Sequence, residues 1–258
     1  MDLRQLKVWS EMKTITLSEM NGIRLMNRID TKYMILEDLL PGLLEEIKKD
    51  YRVQVVNNLP VNRYKTTYFD TSEIDMYTIH HDNKLVREKI RTRTYVESAL
   101  SFLEIKSKSN KGRTTKERMI IGNDDFTNFT NNLDAVKFLC KNSNWGDKEL
   151  FPQITSSFDR VTLVNNDKTE RLTIDGNLVF TNIQTGLEKE MTGLIIIELK
   201  QDGTYPSLFR NLLTKNKVLP NGFSKYCLGM IETNPDAKQN RFKSKIRYIN
   251  KLTENYHD

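Results

Sequence analysis

Cysteine is scarce in this chain of 258 residues, with only Cys140 and Cys227 present. Two cysteines in 258 residues make neither a disulfide framework nor a zinc site. Glycine and proline are also few, at eleven and six, which excludes collagen-like and linker-rich organisation. Long hydrophobic runs are missing: the longest unbroken aliphatic stretch is residues 194–197, far short of the roughly 20 residues of a membrane helix. The N-terminal MDLRQLKVWSEM has no apolar h-region and no small-residue cleavage site, so secretion is not expected and a reduced, cytoplasmic setting is. What is present is 38% hydrophobic residues, ten Tyr and eleven Phe spread along the chain, which argues against disorder. The formal charge is +6, either diffuse or concentrated somewhere.

No internal repeat is visible, so a single domain over residues 1–258 is expected. Period-two patterning predicts strands over 24–35, 63–69, 85–95, 101–108, 114–121, 153–164, 171–175, 178–181 and 193–200. Helical periodicity predicts helices over 41–50, 124–141, 207–215 and 240–252, the second with Phe126, Phe129, Leu133, Val136 and Leu139 on its apolar face. The fold class is therefore α+β, built on an antiparallel sheet.

Residues i and i+2 share one face of a strand, so the sequence sorts into two faces. One face is aliphatic, as with Ile90, Leu103, Ile105, Leu172, Ile174, Ile195 and Ile197. The other carries Arg28, Lys32, Lys89, Arg91, Arg93, Lys106, Lys108, Lys116, Arg118, Arg160, Arg171 and Lys200, against only Asp30, Glu104, Asp175 and Glu198. A solvated face would intersperse signs, because like charges facing each other across strands repel. A densely charged anion on that face would relieve the crowding, and a sheet closed into a barrel would focus the field inward. Helices would then cover the aliphatic exterior. Guanidinium forks and lysine point charges suit closely spaced phosphates. Glu198, and less clearly Glu104, could hold Mg²⁺ or Mn²⁺ against phosphate oxygens, or each could simply pair with a neighbouring cation.

His80-His81 reads as a surface pair after a short helical stretch at 74–79, and Cys227 as a small packed residue. The lysines of the hairpin SKSNKGRTTK are solvated loop charges or guides at a tunnel mouth. The basic run RFKSKIRYINK reads as a capping helix.

The ordered motifs RxDxKY (Arg28 to Tyr33), YFDT (Tyr68 to Thr71), KIRTRTY (Lys89 to Tyr95), FLEIKSK (Phe102 to Lys108), KER (Lys116 to Arg118), FDR (Phe158 to Arg160), RLTID (Arg171 to Asp175), IELK (Ile197 to Lys200) and FSKY (Phe223 to Tyr226) resemble a known family. It is the catalytic domain of the vacuolar transporter chaperone, a polyphosphate polymerase of the triphosphate tunnel metalloenzyme, or CYTH-like, superfamily. The resemblance spans about residues 20–235 and leaves 236–258 as a C-terminal helix. It implies a closed eight-stranded antiparallel barrel whose basic lumen binds ATP and inorganic polyphosphate with Mn²⁺ or Mg²⁺. By matched position, Lys32, Arg91, Arg93, Lys106, Lys116, Arg160, Arg171 and Lys225 would be the catalytic phosphate ligands. Arg28, Tyr33, Lys89, Lys108, Arg118, Lys200 and Ser224 would support substrate binding, with Glu198 and Glu104 on the metal.

Two departures are visible. The fungal pattern places a lysine directly before Phe-Ser-Lys, where this chain has Asn221-Gly222. The hydrolytic tunnel enzymes begin with ExExK, where this chain has Arg28-x-Asp30-x-Lys32. Losing one carboxylate removes equipment for activating water and favours transfer to an already ionised phosphate chain. A tunnel triphosphatase and a non-catalytic polyphosphate- or RNA-binding protein remain the alternatives. The RNA reading is disfavoured because few aromatics interleave with the basic residues. Coupling to transport would require a membrane partner protein, since no membrane insertion by this chain is expected.

Overall fold

The structure is a computed structural model that describes residues 1–21, 28–203 and 205–254. Its strands are β1 (Lys13–Thr16), β2 (Arg28–Leu36), β3 (Tyr51–Val55), β4 (Val61–Asp70), β5 (Arg87–Tyr95), β6 (Leu100–Lys108), β7 (Thr114–Ile121), β8 (Phe151–Asn165), β9 (Glu170–Asn182), β10 (Glu188–Glu190) and β11 (Leu194–Asp202). The helices are α1 (Val8–Glu11), α2 (Leu17–Asn21), α3 (Leu40–Ile47), α4 (Asp75–His81), α5 (Leu133–Asn142), α6 (Leu208–Lys215), α7 (Lys225–Thr233) and α8 (Lys243–Glu254).

Hydrogen bonding joins eight strands in the order β2-β11-β9-β8-β4-β5-β6-β7, and β3 and β10 attach to its flanks at β8 and β9. Every pair on that path is antiparallel, and only the short β1–β3 pair is parallel. The two ends of the path, β2 and β7, share no hydrogen-bonded register among the described residues, so hydrogen bonds do not close the sheet into the expected barrel.

The predicted faces separate in space. On the convex side, Tyr33, Ile35, Leu172, Ile174, Ile195 and Ile197 pack under α3 and α6 through Leu40, Leu44, Phe209 and Leu213. Farther along, Ile90, Leu103, Ile105 and Ile121 pack against Phe129, Ala135 and Leu139. Each buried aliphatic contributes about 1.5–3 kcal/mol, so these two patches fix which face the charged residues take.

The concave side is not uniformly charged. At one end Met34, Ile154, Leu178, Phe180 and Ile196 form an apolar floor on which α7 lies through Tyr226, Leu228 and Met230. Gly229 permits the approach, since a Cβ there would sit 2.7 Å from both Ile154 Cγ2 and Phe180 Cδ1. The other end of the same face holds the cations.

Several boundaries differ from expectation. The predicted strand start at 24–27 lies outside the described residues. The segments 171–175 and 178–181 form one strand, β9, which passes a register shift opposite Ser157 and Asp159 and carries Asn177 at φ 51°. The predicted helix 124–141 is shorter, because the Asn132 side chain accepts from the Asp134 and Ala135 amides and starts α5 there. That cap turns Leu133 outward to 76% exposure, and Phe129 takes the core position from a separate 3-10 turn. His81 is buried rather than superficial: its Nδ1 pairs with Asp82 at 2.9 Å, and its Nε2 accepts the Arg241 amide at 3.2 Å.

Candidate functional site

A cavity of about 1210 Å³ opens between β2 and the β6–β7 hairpin. Its walls carry Arg28, Asp30 and Lys32 from β2, Arg87 and Lys89 from β5, Lys106 and Lys108 from β6, and Glu198 from β11. The β6–β7 turn adds Lys111 and Arg113, the 220–224 loop adds Ser224, α4 adds His80 and α8 adds Lys245. Strand register explains the clustering: Lys89 faces Lys106, Lys106 faces Lys116, and Lys32 faces Glu198.

Further along the same face, two carboxylates gather five more of the predicted cations. Glu104, with no solvent exposure, accepts from Arg91 Nε at 2.9 Å, pairs with Arg91 Nη2 at 2.8 Å and also with Lys116, and lies 4.0 Å from Arg93 Nη1. Asp175 accepts from Arg160 at 2.5 and 2.7 Å and from Lys225 at 2.6 Å. Tyr64 and Phe158 lie beneath the guanidinium of Arg160, at 4.9 and 5.2 Å, and Tyr64 also lies 5.6 Å from that of Arg93. Aromatics therefore do interleave with the basic residues, contrary to expectation, but they are stacked under arginines rather than free to stack on bases.

The electrostatics follow from this crowding. Burial alone would raise Glu104, yet Arg91, Arg93 and Lys116 hold it at about 2. Burial also works against ionising Glu198, and Lys200 at 2.9 Å and Lys32 at 3.6 Å keep its carboxyl well below the usual range. Burial, followed by repulsion from Lys32 and Arg91, pulls Lys106 down to about 8. Lys89 falls to about 7, chiefly through burial, with Lys32, Lys106 and Arg91 adding to the fall and Cys227 opposing it. Neither Lys89 nor Lys106 has a carboxylate within ion-pair distance among the described residues, and Lys89 instead donates to Ser224 Oγ at 2.8 Å. Ser224 also caps α7, whose positive N-terminal end thus sits beside these lysines.

The remaining predicted residues fall elsewhere. Tyr33 is 2% exposed in the convex core, on the face opposite Lys32, and so is removed from substrate binding by strand alternation. Arg118 is exposed over the Phe102 ring at 4.8 Å. Arg171 donates to the Met20 carbonyl at 3.3 Å, while its buried Nε has no partner.

No cluster of three or more His, Cys, Asp or Glu suited to a metal occurs among the described residues. Glu104 does not fit a metal, because its carboxylate is wholly buried among three cationic side chains and does not line the cavity. Glu198 faces the cavity, and the Thr173 hydroxyl, cross-strand from it, is buried without a hydrogen-bond partner. One carboxylate with an idle hydroxyl fits a hard divalent ion only where substrate phosphates and water complete the shell, the usual habit of Mg²⁺. Sequence reasoning missed Thr173, and only its place opposite Glu198 reveals it. It also missed Asp70, which accepts from the Tyr226 hydroxyl at 2.6 Å and from the amides of Thr71, Met76 and Tyr77, tying α4 to α7.

Residues 27–234 match the VTC domain family, and the chain belongs to that family. Solved structures with a similar arrangement include an adenylate cyclase candidate from Vibrio parahaemolyticus, at 12% identity and TM-score 0.45, covering 80% of this chain and 99% of that one. An adenylyl cyclase candidate from Hippeastrum, described as having a dominant triphosphatase activity, aligns at 14% identity and TM-score 0.48, over 80% of this chain and 96% of its own. No curated protein matches the chain. No helix among the described residues is long and apolar enough to cross a membrane.

Proposed function

We propose that this chain is a metal-dependent polyphosphate polymerase that transfers the γ-phosphate of ATP to the end of a growing inorganic polyphosphate chain. The observation that carries the reading is the meeting of Lys32, Lys89 and Lys106 at one cavity, with Lys89 and Lys106 lacking any carboxylate partner among the described residues. Lys89 and Lys106, crowded against each other and against Lys32 at the expense of their own protonation, favour a ligand that returns negative charge at close spacing. Membership of the VTC domain family supports the same substrate class.

The chemistry asked of these residues is positioning and neutralisation. Lys32, Lys89 and Lys106 would hold the equatorial oxygens of the transferring phosphoryl group, and Arg28, Lys108 and the basic residues of the β6–β7 turn would lead the chain along the mouth. Glu198, beside Thr173, would hold Mn²⁺ or Mg²⁺, which neutralises charge between phosphate oxygens. A terminal phosphate is already ionised near neutral pH, so its attack needs no base. Apart from Glu198, the carboxylates of this face are tied up: Glu104 and Asp175 in ion pairs, Asp30 with Arg28 at 2.7 Å. This favours transfer over hydrolysis.

Incubation of pure protein with ATP and Mn²⁺, followed by gel electrophoresis, tests the reading. Chains longer than triphosphate are expected. Phosphate release without chain growth would identify a triphosphatase instead, and unchanged ATP would remove the enzymatic reading.

A further inference from the structure

The family match ends at residue 234, yet the cavity wall does not. Helix α8 follows that boundary and docks back on the concave side: Phe242, in the 3-10 turn just before it, and Ile249 within it enter the core, and the Tyr248 hydroxyl donates to the Met34 carbonyl at 3.3 Å. Phe242 packs edge-on against Phe223 at 5.0 Å. This docking leaves Lys245, three residues after Phe242, on the flank of the buried face and at the cavity.

Lys245 Nζ donates to the Gly222 carbonyl at 2.8 Å and lies 5.4 Å from the Phe223 ring centre. Gly222 in turn rests on Lys32, since a Cβ there would come within 2.7 Å of Lys32 Cβ, and the Asn221 amide donates to the Lys32 carbonyl at 2.9 Å. Lys245, the 220–224 loop and Lys32 therefore form one continuous wall. An ammonium has three donors, and the Gly222 carbonyl engages one. No carboxylate lies within ion-pair distance of Lys245 among the described residues, whereas Lys32 and Arg87 are close enough to repel it. Beside this group His80 presents a buried Nδ1 without a hydrogen-bond partner, at the same cavity. Its ring is kept neutral by burial and by Lys89, Arg87, Lys245 and Lys32, so it adds a polar contact without adding a cation.

We infer that Lys245, carried on α8 outside the family-matched segment, is a phosphate-binding residue that completes the cavity together with Lys32 and Arg87. Its ligand is a linear condensed phosphate, and the inference rests on the phosphate reading of the cavity given above. Lys245 thus reaches from α8 to the backbone of the 220–224 loop, beside Lys32.

Titration calorimetry of tripolyphosphate, without divalent metal, into four proteins separates the two claims. Lys245→Gln keeps a donor for the Gly222 carbonyl and removes the charge, and is expected to weaken binding about tenfold. Lys243→Gln makes the same charge change at an exposed position of the same helix and is expected to bind as wild type. Lys245→Arg is expected to restore affinity to within about threefold of wild type, which a loss of fold in the Gln variant could not mimic. Equal affinities for Lys245→Gln and Lys243→Gln, with tight wild-type binding, overturn the role of Lys245 while leaving the cavity reading intact. Failure of wild type to bind tripolyphosphate overturns both.

Discussion

Glu104→Gln tests whether the buried carboxylates organise the cations or hold a metal. Glu104 is wholly buried and meets Arg91, Lys116 and Arg93, which hold its carboxyl at about 2 against an ordinary 4.5. A tenfold change in an ionisation constant corresponds to about 1.4 kcal/mol, so the ionised carboxylate contributes about 3 kcal/mol, at the low end of the cost of breaking a buried ion pair from one side. Because the folded value is depressed, the contribution is fully present above about pH 4.5 and is lost as pH falls through about 2. With an unfolding entropy of about 2.1 cal/mol/K per residue, the substitution should lower the melting temperature by roughly 6 °C at pH 7. Thermal melts in EDTA provide the assay, since an ion-pair role is indifferent to metal. Tripolyphosphate should recover more stability in the variant than in wild type, because it replaces the missing negative charge among Arg91, Arg93 and Lys116. A drop below about 1 °C, or a loss seen only with Mn²⁺ present, would refute the reasoning.

Two further outcomes are expected. Glu198→Gln should abolish chain growth while moving the melting temperature by less than about 4 °C, because Glu198 is only partly buried and Lys32 and Lys200 retain access to water; retained turnover would remove it from the metal role. Lys89 sits at about 7 and Lys106 and Lys225 at about 8, so part of this group is neutral in the free protein at pH 8. Polyphosphate in the cavity should raise the two cavity lysines, Lys89 and Lys106, so binding should take up protons at pH 8 and weaken as pH rises beyond it. Calorimetry in buffers of differing ionisation enthalpy measures this uptake, and a value of zero would contradict it.

Strand faces were legible because a period of two survives any register: Lys89, Arg91 and Arg93 must share a side, whatever they pair with. How the charges pair was not legible. Glu104 meets Arg91 because β6 lies beside β5 in one particular register, and Asp175 meets Arg160 because β9 lies so against β8. The same limit hid α7, whose short KYCLGMIET segment is interrupted by Gly229 and gains its place by packing on Ile154 and Phe180. It also hid Thr173, an ordinary strand hydroxyl until Glu198 lies across from it. Tyr33 was misplaced by motif resemblance even though its own strand parity sends it to the convex core.

The most direct test of the central claim is phosphorus NMR of pure protein turning over ATP with Mg²⁺. Signal leaving the γ position of ATP should reappear at the shift of internal phosphates of a chain, growing in step with ADP. Reappearance as orthophosphate alone, with no internal-phosphate signal, would contradict phosphoryl transfer to a polyphosphate end.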